Sequence, residues 1–291
     1  MMLPGTILFI IFSYLPMFGT VIAFKEINYG LGFFNSPWVG LKNFKFLVNS
    51  PDFIGITRNT VVYNLIFIAL GLVVSVAIAV ALSELRNKRL NRFYQTTMLL
   101  PYFLSWITAS YLLYSFLNAR YGVVNQLLMK LFGVEGPDWY STLSAWPFLL
   151  VFLNLWKYTG YRVVIYLAAI TSIDTDYYEA AAIDGASKWQ QITKITLPSL
   201  VPLMIILTIL ALSNIFHGDF GLFYQATMRL GEGILKPVGD VIDTYVYIAL
   251  MEANDLGMSS AAGLYQAVVG FLLVLVTNYF IRKVDKEKSL F

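Results

Sequence analysis

The chain has 291 residues, of which 58% are hydrophobic and 13% charged, with a formal net charge of +3. An ordinary soluble domain carries about 25% charged residues, so this chain cannot cover a globular surface with polar groups. A cytosolic enzyme, a disordered chain and a nucleic-acid binder are excluded, and a polytopic membrane protein is left. There is no cysteine and one histidine, His217, which excludes disulfide frameworks, thiol nucleophiles and multi-histidine metal sites.

A bilayer core of roughly 30 Å needs about 20 apolar residues in a helix. Six stretches qualify: Leu3–Phe24, Thr60–Leu82, Phe93–Leu117, Trp146–Ile170, Ser199–Phe216 and Ala261–Ile281. Backbone groups in lipid must be paired within the segment, so these are helices and the fold is an all-α membrane bundle of about six spans in one domain. The first is read as a retained span rather than a signal peptide, since Pro16 sits inside it and no small-residue cleavage site follows.

Basic residues crowd three short segments: Arg86, Lys88, Arg89 and Arg92; Lys188 and Lys194; and Arg282, Lys283, Lys286 and Lys288. The positive-inside rule places these, the loop 171–198 and both termini in the cytoplasm. The loops 25–59, 118–145 and 217–260 then face outward. Residues Pro237 to Ala253 have apolar positions at helical spacing, which predicts one amphipathic helix on the outer face, packed on its own spans.

The loop 171–198 contains YYEAAAIDGASKWQQITKITLP from Tyr177 to Pro198. Asp174 and Asp176 are plausible caps for a short helix through Ile183. Asp184-Gly185 breaks it, a second short helix follows, and Leu197-Pro198 opens the fifth span. This segment resembles the EAA motif of permease subunits in binding-protein-dependent ABC importers. The matching positions are Glu179, Ala180, Ala181, Gly185, Ile195, Leu197 and Pro198, with Asp184 beside the glycine. Seven such positions coincide by chance on the order of once in a hundred thousand chains. Trp38-Val39-Gly40-Leu41 with Asn43-Phe44, Asn59-Thr60, Gly122-Val123-Val124-Asn125, Gly160-Tyr161 and Thr277-Asn278 resemble carbohydrate-uptake permeases. Asp240 to Tyr247 and Gly263-Leu264 resemble the subgroup that handles oligosaccharides and polysaccharide fragments.

The resemblance implies a permease half in a bacterial cytoplasmic membrane. It pairs with a second homologous permease, two ATP-binding subunits and an extracytoplasmic solute-binding protein. ATP and Mg sit on the ATPase subunits, and the chain itself binds no cofactor. The loop then acts as the coupling element, with Glu179 meeting a basic residue of the ATPase and Ala180, Ala181 and Gly185 allowing close docking. The residues agree on one point: no G-x-x-x-x-G-K-[S/T] phosphate loop is present.

Lys157 and Arg162 lie within the fourth span, where a basic residue costs roughly 2.5–3.5 kcal/mol on insertion scales. Lys157, with Asn154 and Trp156, either lines the substrate route or pairs with a carboxylate or carbonyl of the partner subunit. Arg162 is read as a pairing or snorkelling residue. Trp106, Tyr111, Tyr114 and Asn214 are further substrate-path candidates, since sugar C–H faces stack on rings and hydroxyls need amides. His217 is read as structural. A self-contained secondary transporter is the main rival, but the six predicted span interiors hold no Asp or Glu for ion coupling. A non-transport scaffold is the other.

Overall fold

A computed structural model describes residues 3–49, 52–228, 234–251 and 254–284. The described residues are helical throughout their ordered elements, apart from one antiparallel bridge between Lys25 and Trp38. In chain order the helices are α1 (Leu3–Phe24), α2 (Gly32–Asn35), α3 (Lys42–Asn49), α4 (Phe53–Ser83), α5 (Lys88–Phe103), α6 (Trp106–Leu117) and α7 (Val123–Phe132). They continue with α8 (Trp146–Thr171), α9 (Thr175–Ile183), α10 (Lys188–Ser213), α11 (Gly221–Gln225), α12 (Lys236–Gly239), α13 (Ile242–Met251) and α14 (Leu256–Val284).

α4 and α8 form the central pair and run parallel. At the end nearest the 171–198 loop they bury Val76, Ala79 and Leu82 against Val163, Tyr166, Leu167 and Ile170, joined by Leu200 of α10. At the far end Tyr63 and Phe67 meet Trp146, Leu150 and Leu153, with Leu222, Phe223 and Ala226 of the α11 region filling the gap. α1 packs chiefly on α14 and leaves most of its apolar surface uncovered. An apolar residue gains little by burial against protein when the surrounding solvent is hydrocarbon, so this exposure suits a bilayer.

Glycines set two of the closest approaches. A Cβ on Gly160 of α8 would stand 1.9 Å from the Met98 carbonyl oxygen, so α5 and α8 touch backbone to backbone there. A Cβ on Gly71 of α4 would occupy the place of the Arg162 guanidinium.

The structure corrects the bounds of five expected elements. The third expected span, Phe93–Leu117, is two helices: α5 ends at Phe103, Leu104 is extended, and Ser105 caps α6 by accepting from the Thr108 N–H. Pro101 cannot donate and destabilises the helix around it, and the serine supplies a fresh start. The fifth span begins at Lys188 rather than Ser199 and ends at Ser213. The second and sixth spans extend the expected helices, to Phe53–Ser83 and Leu256–Val284. The single helix expected over Pro237–Ala253 is broken at Asp240-Val241, and residues 252 and 253 lie outside the described residues. That break is held by α4: the Asn59 amide donates to the Pro237 and Asp240 carbonyls, Tyr63 donates to Val238, and the Thr60 hydroxyl accepts from the Ile242 N–H. The segment packs on its own spans, as expected, with Val241 and Ile242 fully buried.

Other motif residues do similar work. Asn43 donates to the carbonyls of Ala23 and Lys25. Asn125 donates to Ala119 and Pro137 and accepts from the Trp139 indole, so two loop motifs close on each other. Loops that satisfy their own backbone in this way need no water and can rest against a bilayer.

Candidate functional site

The 171–198 loop is a helix, a left-handed turn and a helix. Asp174 caps α9 by accepting from the Asp176 N–H. At its other end the Gly185 N–H bonds the Ala182 carbonyl and the Ala186 N–H bonds the Ala181 carbonyl. This pair of bonds is the Schellman arrangement, and it requires the left-handed φ of +79° that Gly185 adopts. Ser187 and Gln190 then form a reciprocal capping box that starts α10. α10 runs through a π-turn at Ile192–Thr196 and continues to Ser213 without a stop. The π-turn sits just before Pro198, whose ring would clash with a carbonyl in a regular turn.

Two bonds fasten the loop to the bundle. Tyr178 and Thr196 share a hydroxyl hydrogen bond at 2.9 Å, and Lys188 pairs with Glu84 at the end of α4 at 3.2 Å. Glu179, Ala180, Asp184, Gly185 and Pro198 are exposed, while Ala181, Ile195 and Leu197 are half-buried. Tyr177, Ile183 and Trp189 are also exposed, Ile183 at 87% and Trp189 at 71%. The loop therefore presents an apolar, alanine-rich face with one glutamate on it. Gly185→Val is expected to strain the left-handed turn by about 1–2 kcal/mol and to speed limited proteolysis between α9 and α10 several-fold, read on the purified protein.

A second constellation surrounds the break between α5 and α6. The Lys157 ammonium is buried and donates to the carbonyls of Pro101, Tyr102 and Leu104 at the C-terminal end of α5, of which Pro101 also accepts from the Leu104 N–H. It also lies 5.1 Å from the centre of the Trp106 ring. A cation at a helix C-terminus satisfies the orphan carbonyls and the helix dipole together. The partner of Lys157 is thus this chain's own backbone. On the other side, the Asp219 carboxylate accepts from the Trp106 indole at 2.9 Å and from the Tyr158 hydroxyl at 2.7 Å.

Beside this lies an open cleft of about 330 Å³ between α4, α5, α8 and α10. Tyr102, Tyr158, Tyr161, Arg162 and Tyr166 line it, with Tyr102 and Tyr161 stacked at 4.7 Å. Arg162 donates to the Phe67 carbonyl, and no carboxylate pairs with it among the described residues.

The substrate-path candidates do not gather at one point. Trp106 and Lys157 are in contact. Asn154 is buried one turn before Lys157, with its carbonyl oxygen unpaired among the described residues. Trp156 is half-buried beside it. Tyr114 stacks edge-on against Tyr140, Tyr111 is exposed, and Asn214 bonds within the end of α10. Asp219, Tyr102 and Tyr158 were missed by sequence reasoning. His217 lies 3.8 Å from the Asp243 carboxylate, and this neighbouring acceptor raises the imidazole pKa against the opposing effect of burial. That is the structural role expected of it.

Residues 71–286 match the family described as binding-protein-dependent transport system inner membrane component. Protein LplB of Bacillus subtilis (strain 168) is 34% identical over 292 aligned residues, covering 99% of this chain and 89% of that one. The polygalacturonan/rhamnogalacturonan transport system permease protein YteP of the same organism is also 34% identical, with 99% and 88% covered. A chain in the crystal structure of a bacterial ABC transporter involved in the import of the acidic polysaccharide alginate superposes with a TM-score of 0.87. Its sequence is 31% identical, with 97% of this chain and 94% of that chain covered. The chain belongs to the binding-protein-dependent inner membrane component family and is a multi-pass permease of an ABC transporter.

Proposed function

We propose that this permease is one half of an importer that moves an acidic oligosaccharide across a bacterial cytoplasmic membrane. A second, homologous permease completes the pathway. Two ATP-binding subunits dock on the 171–198 loop from the cytoplasm, where both termini also lie, and carry ATP and Mg. An extracytoplasmic solute-binding protein delivers the sugar. A related crystal structure is of the alginate transporter in complex with an alginate pentasaccharide-bound periplasmic protein, at a TM-score of 0.87 and 31% identity.

The observation that carries the reading is the loop itself. With Tyr177, Ile183 and Trp189 exposed, the segment offers an apolar surface suited to a docking partner. Its two short helices are capped independently and tied to α4 and to the start of α10, so a push on the loop is delivered to the bundle. The exposed Glu179 gives the partner's basic side chain one charged contact among small residues, and Ala180 lets the surfaces approach. The sugar class rests on the names of the relatives together with the cleft. Its tyrosines offer stacking faces and hydroxyls, and the Arg162 guanidinium has donors to spare for a uronate carboxylate.

The test is ATP hydrolysis by the reconstituted complex, with and without binding protein and candidate oligosaccharides. Loaded binding protein is expected to stimulate wild-type hydrolysis several-fold. Glu179→Lys is expected to remove that stimulation or to release the ATPase subunits during purification. A chain that copurifies with no ATPase, and in which Glu179→Lys changes nothing, refutes the proposal in favour of a self-contained transporter.

A further inference from the structure

We infer that Asp219 is a positioning residue that carries the motion of the 171–198 loop to the far half of the broken third span. The inference rests on the importer reading. Its structural basis is a continuous chain of contacts. α10 is one helix of 26 residues from the capping box at Ser187 to Ser213, a rod of roughly 39 Å. Beyond it the chain turns at Asn214–Phe216 and reaches Asp219, whose own carboxylate caps α11 by accepting from the Leu222 N–H. The other carboxylate oxygen takes both the Trp106 indole and the Tyr158 hydroxyl. Trp106 is the first residue of α6.

The two halves of the third span are therefore held separately. Lys157 fastens the end of α5 through three carbonyls. Its neighbour Tyr158 and Trp106 both hang on Asp219, so the start of α6 is tied to the chain that leaves α10. Gly221 makes the fit possible: a Cβ there would lie 2.1 Å from the Trp106 ring. Between the two helices stand two extended residues, Leu104, whose carbonyl Lys157 also holds, and the capping Ser105. A break of two extended residues can bend without disturbing the hydrogen bonds inside either helix. A half-buried charge-assisted hydrogen bond is strong enough to transmit displacement and specific enough to be lost with one substitution. A shift of α10 then moves α6 relative to α5, with Asp219 as the joint.

The experiment uses the whole complex in lipid nanodiscs. Four forms are compared: wild type, Asp219→Ala, Asp219→Asn and Trp106→Phe. The readouts are sugar uptake in proteoliposomes and the ratio of ATPase rates with and without sugar-loaded binding protein. Asp219→Ala is expected to lower that ratio at least five-fold and uptake at least ten-fold in complexes that still assemble. Asp219→Asn keeps an oxygen that accepts from Trp106 and Tyr158, and is expected to retain at least half of the wild-type ratio. If Asp219→Ala fails to assemble, Trp106→Phe, which deletes only the indole N–H side of the clasp, carries the test with an expected loss of two-fold or more. The cysteine-free chain also admits a direct reporter on α6. The thiol introduced by Ile107→Cys should change its labelling rate at least five-fold on ATP binding, and less than two-fold once Asp219→Ala is added.

The inference is overturned by an assembled Asp219→Ala complex whose ratio and uptake lie within two-fold of wild type. It is equally overturned if Asp219→Ala and Asp219→Asn lose activity alike and only in step with the yield of complex, since that is a folding role. If wild type itself is not stimulated by loaded binding protein, the importer reading has failed, and that failure is seen before any Asp219 variant is compared.

Discussion

Gly160→Ala is expected to prevent recovery of a monodisperse protein. The added methyl would sit 1.9 Å from the Met98 carbonyl oxygen and 2.3 Å from its carbon, and both belong to backbone rather than to a side chain that can rotate away. Relief requires α5 and α8 to separate along their whole contact. Overpacking of this kind costs about 3 kcal/mol or more where backbone is the obstacle. The loss also falls on the element that carries Lys157, Tyr158 and Arg162. Detergent-solubilised yield and the midpoint of thermal aggregation should both drop sharply, whereas Gly263→Ala on α14, where no atom lies within 4 Å of the new methyl, should change neither.

Lys157→Met is expected to be the most damaging single substitution that preserves side-chain bulk. The methionine matches the aliphatic stem but donates nothing, and the carbonyls of Pro101, Tyr102 and Leu104 lose their shared donor. An unpaired buried acceptor costs about 1–3 kcal/mol, and inside a bilayer no water arrives to replace the donor. A total of about 3 kcal/mol is therefore expected, allowing for the charge that no longer has to be buried. Thermal unfolding in nanodiscs should show it. A stability equal to wild type would mean that the break holds itself.

The residues differ in how readily the sequence disclosed them. The 171–198 loop was legible almost position by position. Its turn needs a left-handed residue, which the spacing places at Gly185, whereas the continuation of its second helix through Pro198 into the span as one helix left no sign in the spacing. The break in the third span was hidden because hydropathy reads Phe93–Leu117 as one apolar run. Pro101 and the capping serine at Ser105 were the available signs, and they signal a helix end and a helix start only when taken together. Lys157 was legible as a residue in need of a partner. Which partner depended on carbonyls that become free only because the helix is broken, so one hidden feature concealed the other. Asp219 was out of reach for another reason. Its partners Trp106 and Tyr158 are 113 and 61 residues away in sequence, and no local pattern records a contact at that range. Asn59, Asn43 and Asn125 were recognised as motif residues. Their work, closing breaks and loops onto the spans, emerged only from the coordinates.

The π-turn at Ile192–Thr196 has a consequence for the geometry of α10. A π-turn holds one residue more than an α-turn, and each residue advances a helix by about 100°. The azimuth of everything from Leu197 onward is therefore offset by roughly that angle from a uniform helix begun at Lys188. The faces that residues 188–191 and 197–213 turn to their surroundings are thus set independently along a single unbroken axis. The shaft can present one side to whatever grips the loop and a different side to α4, α8 and α14.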